Sequence, residues 1–317
     1  MEEQKRQAET EPAQAQTAQE PAQAEAAENR KSGSKKDKKE KTVGQEILSW
    51  VLTLLVAVAA ALIIRSFIFE PVQVSGASMN DTLADREIMF VSKWDYASTW
   101  LSLPWQADDA KESAPRLATG FSAPKRFDVV IARYPGRGDT NFVKRLVGLP
   151  GDRVKIEDGY LYVNDEKYPE PYINDDYRNN AGAEGGTFSE VYVPKKGDLL
   201  TLDYLDENHT RIGLFVNGSA WSWRGISSDA VSADGDRLAY HHDGTLLLNG
   251  QEIGEDTEKI VSLVGKEFQL EKDLYFVMGD HRDSSNDSRA QGPITRDMLV
   301  GHVRCVLFPF TAWRGIH

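Results

Sequence analysis

The sequence has a single cysteine, Cys305, in 317 residues. One cysteine cannot form an internal disulfide, so the fold depends on its hydrophobic core alone. The first 43 residues lack aromatic side chains and consist mainly of Gln, Ala, Glu and Lys. Such a composition cannot bury enough apolar surface to offset the entropy of the chain. We therefore expect residues 1–43 to be disordered.

The sequence also has no excess of basic residues, and its formal net charge is −12. Acidic and basic side chains cancel within the first 45 residues, so the negative charge belongs to the rest of the chain. An acidic surface argues against nucleic acid as a partner and provides no attraction to anionic lipid.

One long hydrophobic run is present, and it lies near the N-terminus. Residues 47–64 contain no charged side chain, about the minimum length that crosses a bilayer as a helix. A buried core helix and a cleaved secretory signal are the alternatives, but no small-residue cleavage site follows before Arg65. The residues before the run are rich in positive charge: Arg30, Lys31, Lys35, Lys36, Lys38, Lys39 and Lys41. The positive-inside rule then predicts a cytoplasmic tail (1–43), a single-pass transmembrane anchor helix (44–66) in membrane lipid, and an extracytoplasmic domain (67–317).

The pattern after the anchor predicts a mainly β fold, an antiparallel β domain with a β-rich insertion. Alternating runs are separated by Gly, Asp and Asn, and "EDGYLYVND" is typical of a hairpin. Two stretches interrupt the motif-rich blocks, 94–125 and 157–270, and we interpret both as insertions. The second is either a small domain or an elaboration of the first domain, and we favour elaboration. The Trp-rich segment 94–105 suits core packing and membrane-interface contact equally.

Ser78, in "VSGASMNDTL", is the first candidate for chemistry. A serine beside glycine is usually a turn residue, and its hydroxyl is a weak nucleophile until a base removes the proton. No histidine has a recognisable triad setting, and Ser78 lacks the G-x-S-x-G elbow. His281, next to Asp280, is the only histidine that invites a catalytic interpretation.

Lys144, in "NFVKRLVGLPGDRV", is the second candidate. Strand alternation places it on one face with Phe142 and Leu146, among bulky apolar neighbours. A lysine titrates near ~10.4, so a base that works near neutral pH needs its pKa lowered by about three units, which burial can achieve. The alternative is a strand-edge lysine whose ammonium reaches solvent.

A polar block, "YFVMGDHRDSSNDSR", follows an apolar strand near the C-terminus. It fails the EF-hand pattern because position 288 is not glycine and position 294 is Ile rather than Glu. Asp287 and Arg289 remain as paired charges suited to orienting a buried neighbour.

Together and in this order, these blocks resemble the type I signal peptidases of the S26 type, the membrane-anchored Ser/Lys proteases that trim secretory precursors. The similarity includes the anchor and the motifs "SGASMNDTL", "FDVVIARYP", "FVKRLVGLPGDRV" and "GDHRDSSNDSR". The resemblance implies that Ser78 is the nucleophile, that Lys144 is the general base, and that signal-peptide-bearing precursors are cut through an acyl-enzyme. It implies no metal and no cofactor. It also implies supporting roles: Ser285 holds the lysine, Asp287 with Arg289 braces the loop, Asp280 assists, and Met79 lines the substrate cleft.

Three positions depart from the pattern of that family. Asp81 replaces the usual Pro, so the turn after the nucleophile loses a fixed φ and gains a charge. Gly76 replaces a serine found in some members, which leaves a second oxyanion donor unassigned. Phe127 replaces a common glycine, and we interpret this as local variation.

Two other functions are compatible with parts of the sequence. A self-cleaving repressor-type Ser/Lys protease shares the chemistry but needs a DNA-binding helix-turn-helix where this chain has its anchor. An inactive or weakly active membrane-tethered relative that binds exported peptides stays open because of Asp81. The sequence carries no signal for an oligomeric state.

Overall fold

The structure is a computed structural model, and it describes residues 42–95, 98–100, 116–118, 122–134, 140–180, 186–221, 229–240, 245–253 and 257–316. The tail predicted to be disordered lies outside these ranges up to residue 41, as does most of the first insertion. The Trp-rich segment 94–105, for which lipid contact was one of two interpretations, also lies largely outside the described residues.

The N-terminal apolar run forms one helix, α1 (Val43–Phe67), one residue longer at each end than predicted. Leu, Ala and Val dominate it, and neither Pro nor Gly interrupts it after Gly44. Its span Val43–Arg65 has a mean hydropathy of 2.8 and none of it is buried in protein. A buried core helix is therefore excluded, and the helix has the length and composition of a membrane span. The chain divides inside this helix, and Leu54–His317 forms one compact unit.

The rest of the described chain is mainly β. In chain order the strands are β1 (Phe69–Gln73), β2 (Ile88–Ser92), β3 (Ser98–Trp100), β4 (Arg116–Ala118), β5 (Val129–Ala132), β6 (Phe142–Gly148), β7 (Arg153–Glu157), β8 (Tyr160–Val163), β9 (Glu166–Lys167), β10 (Phe188–Tyr192), β11 (Leu199–Tyr204), β12 (Ile212–Val216), β13 (Ser219–Trp221), β14 (Asp229–Ser232), β15 (Arg237–Tyr240), β16 (Leu246–Leu248), β17 (Gln251–Glu252), β18 (Glu267–Leu270), β19 (Leu274–Met278), β20 (Ile294–Thr295), β21 (Leu299–Phe308) and β22 (Arg314–Gly315). Three short α-helices accompany them, α2 (Asp175–Asn180), α3 (Thr257–Ser262) and α4 (Ser288–Gln291), and three 3-10 helices are formed by Arg282–Ser284, Arg296–Met298 and Phe310–Ala312.

The strands form antiparallel sheets, which confirms the predicted fold class. The main sheet has the order β1-β2-β21-β5-β6-β19-β20, with β22 paired to β21. A four-stranded sheet has the order β10-β7-β8-β9, and a second large sheet has the order β13-β12-β11-β18-β14-β15-β16-β17. In the first insertion, β3 pairs with β4. The residues between β6 and β19 thus supply two sheets of their own.

Turn residues close two of the hairpins, one of which is the hairpin predicted from "EDGYLYVND". Asp158 and Gly159 join β7 to β8 with positive φ angles of 51° and 78°. Asn217 and Gly218 do the same between β12 and β13, with φ angles of 49° and 77°. Such pairs match the twist of a two-residue hairpin loop.

Strand β6 runs through the middle of three hydrophobic clusters. Val147 packs in a cluster that also contains Phe276 of β19 and Leu200 of β11, so the inserted sheets share a core with the main sheet. Val143 belongs to a second cluster, and Leu146 belongs to a third. A side chain in the middle of β6 is therefore removed from water on either face.

Candidate active site

Ser78 and Lys144 lie together. Lys144 is on the central strand β6, opposite Val130 of β5, and Ser78 is in the loop between β1 and β2. Lys144 Nζ is 2.7 Å from Ser78 Oγ and donates a second hydrogen bond to the Val143 carbonyl at 3.0 Å. Only 2% of Lys144 is exposed. The alternative of a strand-edge lysine in solvent is wrong.

Burial lowers the pKa of Lys144 to about 8. The Asp287 and Asp280 carboxylates act in the opposite direction, because negative charge favours the ammonium, and Arg289 lowers the pKa further. A pKa of about 8 leaves roughly one amine in ten uncharged at pH 7. The lysine can therefore accept a proton from a hydroxyl in hydrogen-bond contact with it.

Arg145, next to the lysine, is held in a buried ion pair. Its guanidinium binds the Asp280 carboxylate, with Nε to Oδ1 at 2.9 Å and NH2 to Oδ2 at 2.8 Å, and both side chains are 1% exposed. Thr82, four residues after Ser78, donates its hydroxyl to the same carboxylate. Because each buried charge has its partner, the pair fixes β6, the end of β19 and the turn that holds the predicted nucleophile (residues 76–83, the nucleophile turn) against each other.

The loop after β19 is folded around Asp287. Its carboxylate accepts hydrogen bonds from the Gly279 N–H at 2.9 Å and from Arg289 Nε at 2.9 Å. Burial raises the pKa of Asp287, but the hydrogen bond and charge of Arg289 outweigh it and keep the pKa below the usual value. Arg289 also donates to the Arg282 carbonyl at 2.6 Å. The paired charges expected from the sequence are thus present.

Ser285 lies in this loop, beside Gly279. A Cβ at Gly279 would come within 2.5 Å of both Ser285 Cβ and the Ser78 carbonyl, so the glycine is what allows the loop to approach Ser78. The Ser285 hydroxyl helps to lower the pKa of Asp287, but it makes no hydrogen bond of good geometry among the described residues. Its expected contact with Lys144 is not formed, and a role in holding the lysine stays a prediction.

The main chain of the nucleophile turn is held from the same loop. The His281 N–H donates to the Ser78 carbonyl at 3.0 Å, and the His281 ring contacts the Ala77 carbonyl rather than the Ser78 hydroxyl. Met79 is 1% exposed, and its sulfur accepts a hydrogen bond from the Asp280 N–H at 3.4 Å. Its side chain packs beneath the turn, and contact with a substrate stays a prediction.

Each of the three departures from the family pattern has a structural partner, and the Gly76 N–H donates to Asp85 Oδ1 at 3.1 Å. The Asp81 carboxylate accepts a hydrogen bond from the Asn174 N–H at 3.3 Å. Phe127 has a positive φ of 72°, a conformation that suits glycine, and its ring lies 5.8 Å from that of Tyr168. Its carbonyl accepts a hydrogen bond from Arg145 at 2.8 Å. Phe127 therefore helps to hold the Arg145 side chain and is not merely local variation.

Sequence reasoning missed several residues whose contacts hold the segments of the site together. Arg145 carried a signal, because a charged residue inside a buried strand requires a partner. Glu170, Tyr172 and Arg282 carried none, because their contacts join segments that are more than 20 residues apart in sequence. Within the described ranges, no group of three or more His, Cys, Asp or Glu side chains is placed to hold a metal ion.

The chain is similar in sequence to several signal peptidases. The chain is 28% identical over 269 residues to Signal peptidase I P of Bacillus subtilis subsp. natto, covering 84% of this chain and 92% of that protein. It is 28% identical over 291 residues to Signal peptidase I T of Bacillus subtilis (strain 168), covering 90% and 97%. It is 37% identical over 153 residues to Signal peptidase I of Bacillus licheniformis, covering 47% and 69%.

One solved structure that it matches is a signal peptidase I from Enterococcus faecalis V583, with a TM-score of 0.26 and 21% identity over 57% of this chain and 97% of that one. A family model described as "Signal peptidase, peptidase S26" matches residues 47–216 and 230–308. Those two stretches span more than half of the 317 residues, and the chain belongs to the signal peptidase family, peptidase S26.

Proposed function

We propose that the protein is a membrane-anchored serine endopeptidase that removes signal peptides from exported precursor proteins with a dyad of Ser78 and Lys144. The observation that carries the proposal is the 2.7 Å contact between the Ser78 hydroxyl and a buried amine. The names of the relatives support the substrate class.

In the proposed reaction, uncharged Lys144 takes the proton of Ser78 while Oγ attacks the scissile carbonyl carbon. The peptide C–N bond then breaks, and Lys144 returns the proton to the leaving amine. Water, deprotonated by the same lysine, hydrolyses the ester and frees Ser78 Oγ. The Ser78 N–H has no hydrogen-bond partner among the described residues and is available to donate to the oxyanion.

The remaining residues predicted for the site support the two reacting groups in this proposal. Asp280 neutralises Arg145 beside the lysine, and Asp287 with Arg289 sets the loop that reaches the Ser78 carbonyl. Ser285 lies beside Gly279, where the loop approaches the Ser78 carbonyl, and its role in this proposal is to hold the amine. The substrate lies extended beside a strand edge, so small pockets select small residues one and three positions before the cut.

The membrane position follows from the anchor in this proposal. Helix α1 crosses the membrane once, the basic N-terminal segment stays in the cytoplasm, and the β domain is exported. Ser78 follows the end of α1 by a short stretch of chain, which keeps the nucleophile near the membrane face where a signal peptide emerges.

Cleavage of a signal-peptide-bearing precursor by the purified full-length protein tests the dyad. We expect Ser78→Ala and Lys144→Ala each to lower kcat by at least about a thousandfold, because either change removes the activated nucleophile. Ser219→Ala and Lys155→Ala are matched controls on distant strands and are expected to cleave normally. The N-terminus of the product identifies the cut.

Equal cleavage by the unaltered protein and by either dyad variant refutes the proposal. Binding of the precursor without any cleavage favours the second candidate, a tethered peptide-binding relative. Asp81, in place of the usual Pro, is the residue that supports that candidate.

A further inference from the structure

A short segment of the large insertion contacts each of the three segments that build the candidate site. We call residues 168–174, "YPEPYIN", the strap. Pro169 and Pro171 fix two of its φ angles and make it stiff. Through its side chains or main chain, the strap reaches the nucleophile turn, strand β6 and the loop after β19.

The contact with the loop is a buried ion pair. Glu170 Oε1 accepts a hydrogen bond from Arg282 NH2, and both side chains are 1% exposed. Arg282 Nε also donates to the Gly279 carbonyl at 3.3 Å. The loop that holds the Ser78 carbonyl through the His281 N–H is therefore anchored to the strap.

The contact with β6 is made by an aromatic ring. The centroid of the Tyr172 ring lies 3.8 Å from the guanidinium carbon of Arg145, the residue that follows Lys144. The Tyr172 hydroxyl donates to Glu170 at 3.0 Å, which ties the two contacts together. Arg145 is thus enclosed between the Asp280 carboxylate and the ring of the strap.

The remaining contacts involve two of the positions that depart from the family pattern. Asp81 accepts the Asn174 N–H, and Phe127 packs against Tyr168 and Tyr172 with ring centroids at 5.8 and 6.2 Å. Both departures therefore contact the same seven residues. This coincidence indicates that the nucleophile turn and the strap of this chain fit each other.

We propose that the strap positions the reacting groups of the dyad, and that Glu170 is its principal positioning residue. This inference adds a positioning role to the proposed function. It rests on that function because its first test measures precursor cleavage. It also assigns a function to this part of the insertion, which holds the nucleophile turn, strand β6 and the loop after β19 in fixed positions relative to one another. Glu170 does not touch the Ser78 and Lys144 side chains, so it acts through Arg282 and Tyr172.

The first test is cleavage of the precursor by full-length Glu170→Gln in detergent micelles. We expect kcat per folded protein to fall about tenfold to hundredfold, with KM within about threefold, because a small misplacement of reacting groups is costly. Asp198→Asn is the matched control, since it removes another buried carboxylate away from the strap. A kcat within twofold of that of the unaltered protein overturns the proposal.

The second test does not depend on cleavage. We expect hydrogen exchange of the His281 amide, which donates to the Ser78 carbonyl, to be at least about tenfold faster in Glu170→Gln than in Asp198→Asn. Exchange that is no faster overturns the proposal whatever the activity. Faster exchange in a protein whose unaltered form cuts no precursor supports the strap and refutes the proposed function instead.

Conservative substitution at Tyr172 separates positioning from general stability. Tyr172→Phe keeps the ring over Arg145 and loses only the hydrogen bond to Glu170, so it is expected to lose less of kcat than Tyr172→Leu, which loses both and is expected to fall by about tenfold or more. Equal kcat values for the two variants contradict the proposal.

Discussion

At the scale of single residues, the proposed chemistry centres on one amine that the fold shields from water. Lys144 is as buried as the aliphatic side chains around it, yet it carries a group that water solvates strongly. Its lowered pKa is the consequence, and two measurable properties follow from it.

The first property is the pH dependence of cleavage. Because Lys144 must be uncharged to accept the proton, kcat/KM is expected to rise with pH and to level off above an apparent pKa of about 8. Initial rates between pH 6 and about 10.5 check this. A rise in kcat/KM centred near pH ~10.4, the pKa of a free lysine, would contradict burial of the amine.

The second property is the stability of the fold. The folded-state pKa of about 8 lies below the unfolded value of 10.5, so the folded state disfavours the proton. Below pH 8 this costs about 3 kcal/mol of unfolding free energy; the cost shrinks as the pH rises from 8 to 10.5 and is absent above that.

Lys144→Met is therefore expected to stabilise the protein near pH 7, by up to about 3 kcal/mol less the two lost hydrogen bonds. Denaturant titrations at pH 7 and at about pH 10.5 measure the free energy of unfolding. The gain should largely disappear at the higher pH. An equal gain at both pH values would assign the effect to packing rather than to charge.

At the scale of elements, the site depends on the close approach of two loops that follow β1 and β19. Gly279 allows this approach because a side chain there would collide with both the Ser78 carbonyl and Ser285. The antiparallel pairing of β6 with β19 then aligns Arg145 with Met278, directly before that glycine.

Gly279→Ala is expected to lower kcat at least about a hundredfold, because the added methyl group pushes the nucleophile turn away from the lysine. Gly218→Ala is a useful contrast, since its position meets no atom within 4 Å but has a positive φ. That variant should lose some stability and keep its kcat. Cleavage rates and melting temperatures of both variants check the prediction.

At the scale of the whole molecule, the apolar helix α1 and membership of the signal peptidase family indicate a membrane-anchored enzyme, and its orientation is part of the proposal. No part of the helix is buried in protein, and in the proposed arrangement the membrane removes it from water. The basic residues before it predict which end stays in the cytoplasm.

Protease protection of membrane vesicles tests the orientation. In right-side-out vesicles, added protease is expected to remove the β domain and to leave an N-terminal epitope tag intact. In inverted vesicles the tag should be lost and the domain protected. The opposite pattern would contradict the proposed export of the domain.

The sequence by itself determined the apolar helix, the mainly β class and the hairpin turns, because each depends on local pattern; the pairing of Ser78 with Lys144 came from the family resemblance that the motifs carry in their order along the chain. Alternation alone placed Lys144 among apolar neighbours, and Asp-Gly and Asn-Gly pairs fixed the turns. Only the tertiary structure decided that Lys144 is fully enclosed, that Arg145 is neutralised by Asp280, and that residues 168–174 reach all three parts of the site. Those facts arise from contacts between segments far apart in the chain, and no local pattern encodes which buried charges meet.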